Sequence, residues 1–180
     1  MPAPAFKIVS RLVSSTLLSV ALHGVALGQT PDKASSNTSL SDTVSWTVSA
    51  QSADSVKQGT SFALEVRGAV VDGWHVYALE QLPRGPIPLR VTLDANEVAE
   101  ADGALSATPP TKSHDTSFNL DTQYYAKDFT LTVPVRIGSD VAPGPQQIPV
   151  SVRFQSCNGQ TCRPPKTVHL SASVNVRKGG

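Results

Sequence analysis

The two cysteines of the chain lie in one short stretch: Phe154-Gln155-Ser156-Cys157-Asn158-Gly159-Gln160-Thr161-Cys162-Arg163-Pro164-Pro165. Asn158-Gly159 is a strong turn pair, so the cysteines flank the tip of a hairpin. A disulfide closes there if the two Cβ atoms face each other. Such a pair serves either as a staple or as a redox couple. In the loop-entropy picture a ring of about six residues is worth only ~2 kcal/mol, against ~4.7 for a hundred-residue loop. A staple placed for stability would join distant strands. Composition and spacing leave both uses open.

The flanks favour exchange. Arg163 follows Cys162, with Lys166 close behind, and positive charge promotes the thiolate that attacks disulfides. Pro164 and Pro165 offer no N–H and hold Arg163 extended, which interrupts strand pairing and leaves the tip approachable. Metal binding fits poorly. Two thiolates with four residues between them make half a zinc site, and His75, His114 and His169 are scattered along the sequence. No glycine-rich phosphate loop or serine nucleophile elbow is present, and no cofactor is expected.

Side chains like these must be carried by something, and the carriers read as strands. Val44, Trp46, Val48 and Ala50 alternate with Thr43, Ser45, Thr47 and Ser49. The same period of two runs through Phe62 to Val66, Leu89 to Leu93, Phe129 to Ile137, Ile148 to Phe154 and Val168 to Val176. Turn residues divide the rows at Gln58-Gly59, Asp72-Gly73, Pro83-Arg84-Gly85-Pro86 and Pro143-Gly144-Pro145. No stretch has a helical period. Strands with one dry face pair those faces, so the expected fold is all-β, an immunoglobulin-like antiparallel β-sandwich of roughly seven to nine strands. Counting back by twos from Cys157 gives Gln155, Arg153 and Ser151. That parity puts Cys157 on the polar face, opposite Phe154, Val152 and Val150. Two segments break the alternation, Leu93 to Lys112 and the polar Ser113 to Tyr125, and are expected to be excursions with a functional part.

The amino-terminal residues have the layout of a secretory signal. Lys7 and Arg11 precede the apolar Leu12 to Leu27, and Ala26-Leu27-Gly28 supplies small residues for cleavage. Residues 1–28 are therefore read as a signal peptide, 29–42 as a flexible Ser, Asn and Asp-rich leader, and 43–180 as the sandwich. Cleavage after Gly28 takes Lys7 and Arg11 from the 15 basic side chains, leaving 13 against 14 acidic ones, a net charge of −1. Nothing in that balance steers the chain to nucleic acid or anionic lipid. No later segment is long and apolar enough to span a bilayer, so no stable membrane insertion is expected after cleavage. Export would put both cysteines where disulfides persist.

Several motifs resemble the amino-terminal periplasmic domain of the thiol:disulfide interchange protein DsbD. The most specific is Gln155-x-Cys157 … Cys162-x-Pro164-Pro165. Gly73-Trp74-His75-Val76-Tyr77-Ala78, Gly85-Pro86-Ile87-Pro88 before Leu89 to Leu93, and Tyr125 to Val135 match in kind and order. The resemblance implies an immunoglobulin-like fold with the Cys157–Cys162 disulfide on a hairpin. It also implies thiol:disulfide oxidoreductase activity in the periplasm. Electrons would pass between a thioredoxin-like or membrane-embedded reductase and oxidised periplasmic proteins. By position Cys162 would form the mixed disulfide and Cys157 would resolve it. Phe118 matches the cap aromatic that shields the cysteines, and Gln155, Arg163, Pro164 and Pro165 are the supporting flanks. The competing expectation is an exported binding or adaptor domain whose hairpin disulfide is only a clamp.

Overall fold

The computed structural model describes residues 38–51 and 55–179; the expected signal peptide, and the leader up to residue 37, lie outside them. Fourteen strands form among the described residues. They are β1 (Thr38–Ser39), β2 (Val44–Ala50), β3 (Val56–Lys57), β4 (Ser61–Val70), β5 (His75–Tyr77), β6 (Arg90–Leu93) and β7 (Ala99–Ala101), then β8 (Ser106–Ala107), β9 (Thr111–Asp115), β10 (Leu120–Tyr125), β11 (Phe129–Ile137), β12 (Gly144–Phe154), β13 (Ser156–Cys157) and β14 (Lys166–Arg177). No helix long and apolar enough to cross a membrane occurs among them.

The alternating rows become the two layers of an immunoglobulin-like antiparallel sandwich. One sheet runs β1-β2-β4-β11-β7, with β8 also on β11, and the other runs β3-β14-β12-β6. Residues two apart in a strand share a face, so Val44, Trp46 and Val48 of β2 meet Ile148, Val150 and Val152 of β12 in one continuous buried cluster. The aromatic centre is tight. Trp46 lies edge-on to Phe129 at 5.6 Å and tilted against Phe154 at 5.2 Å. Gly68 makes that approach possible, because a Cβ there would stand 2.7 Å from the Phe129 ring.

The structure departs from the sequence expectation in its strand count and in a third sheet, β13-β5-β10-β9. The polar segment Ser113 to Tyr125, expected as an excursion, contributes most of β9 and all of β10, paired from Leu120↔Asp115 to Tyr124↔Thr111. Its strands escaped the pattern because β9 buries no residue. The mixed segment from Leu93 to Lys112 holds the short strands β7 and β8, laid on β11. Ordered pairing also starts earlier than Asp42: Thr38 and Ser39, at the end of the expected leader, pair with Thr47 and Trp46.

Candidate functional site: a disulfide over a polar cavity

β12 ends at Phe154, and after Gln155 the chain enters a different sheet as β13, where Ser156 pairs with Val76 and Cys157 with His75. Gln155 fastens this switch: its backbone carbonyl accepts from the Tyr77 N–H at 3.3 Å, and its side-chain Oε1 accepts from the Ile87 N–H at 2.8 Å. Sequence parity fails here because the strand does not continue. Cys157 is 2 % exposed instead of standing on the polar face, although it is not part of the sandwich's apolar cluster.

The turn beyond it is built by Asn158. Its N–H donates to the Thr161 carbonyl at 3.1 Å, while its Oδ1 accepts from the N–H groups of Gln160 and Thr161 at 3.2 and 2.9 Å. Gly159 takes φ 78°, a conformation that costs glycine little. Cys162 thereby returns opposite Cys157, Cα–Cα 4.1 Å, and the two are joined by a disulfide. The sulfurs are not equivalent, for Cys162 is half-buried and Cys157 buried. Past Cys162 the exposed Pro164 and Pro165 stand outside any ladder until β14 begins at Lys166.

Arg163 was expected to lend its charge to Cys162, but that charge is engaged elsewhere. Its guanidinium pairs with Asp42 at 2.6 Å and lies over the Trp74 ring at 5.3 Å. Its N–H donates to the Ser156 carbonyl at 2.8 Å. Ser156 is in turn tied to Thr43, hydroxyl to hydroxyl, at 2.9 Å in a buried contact. The carboxylate shares the cation, so Arg163 acts more as a fastening than as a free activator of the thiol.

One face of the third sheet forms the floor of a cavity of about 430 Å³ that reaches Cys157. The register explains its lining. His75 stands across from Cys157, Tyr77 is two residues along β5, and Tyr124 pairs with Tyr77. Thr122 and Ser113, paired across β10 and β9, continue the same face. The β9–β10 hairpin supplies the far wall through Ser113 to Ser117. Tyr77, fully buried, donates its hydroxyl to Asp115 Oδ2 at 2.7 Å, and Asp115 Oδ1 accepts the Ser117 N–H at 2.8 Å. Burial, then the bond to Asp115, pushes the Tyr77 phenol far above its ordinary value, so it remains a donor. Phe118, at the hairpin tip, sets its ring edge-on to Tyr77 at 5.8 Å. The expected cap aromatic thus sits above the tyrosine that neighbours the cysteine strand. His75 packs against Tyr77 at 5.0 Å and Tyr124 at 5.1 Å. Burial lowers its pKa from the ordinary 6.5, with Asp115 opposing, which favours a neutral imidazole.

Sequence reasoning found the cysteines and their flanks but missed Asp42, Trp74, His75, Tyr77 and Asp115 as their surroundings. Trp74, His75 and Tyr77 lie in one of the motifs that carry the resemblance, and the period of two from His75 to Tyr77 along β5 was the available signal. A second polar cluster lies on the β6-β12-β14 sheet, where Ser151 Oγ donates to Asp94 at 2.6 Å and meets His169 Nδ1 at 2.8 Å. It is not a nucleophilic triad. The serine sits between the other two, whereas catalysis requires the imidazole to bridge serine and carboxylate.

Comparison with known proteins gives a family whose match runs over residues 45–173, described as "Thiol:disulfide interchange protein DsbD, N-terminal". No curated protein matches significantly. Among solved structures the chain is similar to the crystal structure of BcpA, the major pilin subunit of Bacillus cereus, with 11% identity and a TM-score of 0.38. That likeness covers 73% of this chain and 39% of the pilin.

Proposed function

Because the chain belongs to the family of DsbD amino-terminal domains, we propose that it is a periplasmic thiol:disulfide exchange module acting through Cys157 and Cys162. The observation that carries the reading is the unequal burial of two sulfurs joined in a minimal loop. A clamp gains nothing from that inequality, whereas exchange needs one sulfur within a partner's reach and one held back to resolve the adduct. Cys162 forms the mixed disulfide and Cys157 resolves it. Electrons arrive from a thioredoxin-like or membrane-embedded reductase and leave to oxidised exported proteins. The β9–β10 hairpin, with Phe118 on Tyr77, shields the buried sulfur between encounters. The signal sequence read over residues 1–28 delivers the domain to that compartment.

The test is covalent trapping. Cys157→Ser should accumulate an adduct through Cys162 with an oxidised thioredoxin-like protein on a non-reducing gel, and Cys162→Ser should accumulate little. Equal trapping by both variants would refute the division of roles. No trapping by either, with the wild-type couple lying below about −300 mV, where structural disulfides sit, would return the pair to a clamp.

A further inference from the structure

Resting on that reading, we infer that His75 is the proton acceptor for Cys157 when the buried sulfur resolves the mixed disulfide. The need comes from burial. Cys157 is 2 % exposed, and a thiol withdrawn from water resists becoming the thiolate that must attack. Bulk solvent reaches it poorly, so an acceptor within the cavity shortens the proton's path.

The register supplies that acceptor. His75 and Cys157 are direct antiparallel partners, so both side chains leave the same face with Cβ atoms roughly 4.5–5.5 Å apart. Both line the same cavity. Neighbours at that spacing let an imidazole nitrogen approach the sulfur directly or through one water. The other titratable groups facing the site are committed. Asp115 takes the Tyr77 hydroxyl and the Ser117 N–H, and His114 is paired with Asp121 at 3.2 Å. Tyr77 stays protonated, and Tyr124 is a phenol that tilts against the His75 ring. Arg163 is held by Asp42. The His75 ring packs against the two tyrosines, and among the described residues neither nitrogen has a hydrogen-bond partner. Its depressed pKa keeps it able to accept a proton at neutral pH.

The step balances as follows. The Cys162 sulfur is bonded to a sulfur of the oxidised exported protein. Cys157 gives its proton to His75, and its thiolate attacks the Cys162 sulfur. The Cys157–Cys162 bond forms, the bond to the partner breaks, and the partner's sulfur leaves with the electron pair. That thiolate takes a proton from the imidazolium or from water. The domain is oxidised by two electrons and the partner is reduced by two.

Reaction of the reduced domain with an aromatic disulfide that releases a coloured thiolate separates the steps. The first release reports attack by Cys162, and the second reports resolution by Cys157. In His75→Gln the second phase should slow about ten- to a hundredfold near neutral pH, with the first unchanged. The wild-type second phase should also fall in acid with an inflection matching the His75 titration read by NMR, and the variant should lose that inflection. A second phase with the same rate and profile in both proteins would overturn the inference while leaving the exchange function intact. Were the variant to misfold by circular dichroism, the wild-type profile decides alone: no inflection at the His75 titration would equally overturn it.

Discussion

Replacing Tyr77 with Phe tests whether the β9–β10 hairpin is a shield. The change keeps the ring that meets His75 and Phe118 and removes only the hydroxyl donated to Asp115 at 2.7 Å. A hydrogen bond to a charged group contributes roughly 1.5–3 kcal/mol. Asp115 is half-buried and keeps the Ser117 N–H, so water recovers part of the loss. About 1–2 kcal/mol is then the expected cost. If that cost falls on docking of the hairpin, the open state gains about five- to thirtyfold in population. Alkylation of the reduced thiols, followed by mass spectrometry, should accelerate by that factor. The unfolding free energy from urea denaturation should drop by no more than the same amount. Phe118→Ala should act in the same direction, since its ring rests on Tyr77. A normal alkylation rate combined with a lower urea midpoint in both variants would refute the shield and make the hairpin an ordinary part of the fold.

Three further outcomes are expected. Reduction of Cys157–Cys162 should leave a cooperatively folded protein, because the small ring contributes only ~2 kcal/mol; unfolding by mild reductant at room temperature would make the pair a staple. Gly68→Ala should cost about 1–3 kcal/mol by overpacking the Phe129 and Trp46 rings, measured by urea denaturation. The His75 pKa is depressed in the folded state below 6.5, so its share of stability is complete above that pH and is lost as pH falls through the lower folded value. Urea midpoints at neutral pH and in mild acid should show that loss, and His75→Gln should show less of it.

The sandwich was legible because its strands carry a strict period of two with one dry face, as in Phe129 to Ile137, where every second side chain is buried. The third sheet was not. β9 reads Thr-Lys-Ser-His-Asp, and β3, β8 and β13 are two residues long, too short to display any period. Cys157 was misassigned for a related reason: parity holds only within one strand, and Gln155 ends that strand. The cysteine pair and its turn were local and therefore readable. Tyr77 to Asp115 and Asp42 to Arg163 join segments far apart in sequence, and nothing in the residue types announces which charges will meet.

The pairing of Asp42 with Arg163 and of Thr43 with Ser156 bears on how this domain is delimited. The sequence reading begins the sandwich at residue 43, and the family match begins at residue 45. The first leaves out Asp42 and the second leaves out both Asp42 and Thr43, the residues that tether the cysteine turn to the sandwich. A fragment cut at residue 45 would keep both sulfurs but lose Val44 from the core row of β2. Its Arg163 guanidinium would keep the Trp74 ring without Asp42, and its buried Ser156 hydroxyl would lose the Thr43 hydroxyl. The segment ahead of the first buried strand therefore belongs with the end of the domain that carries the disulfide.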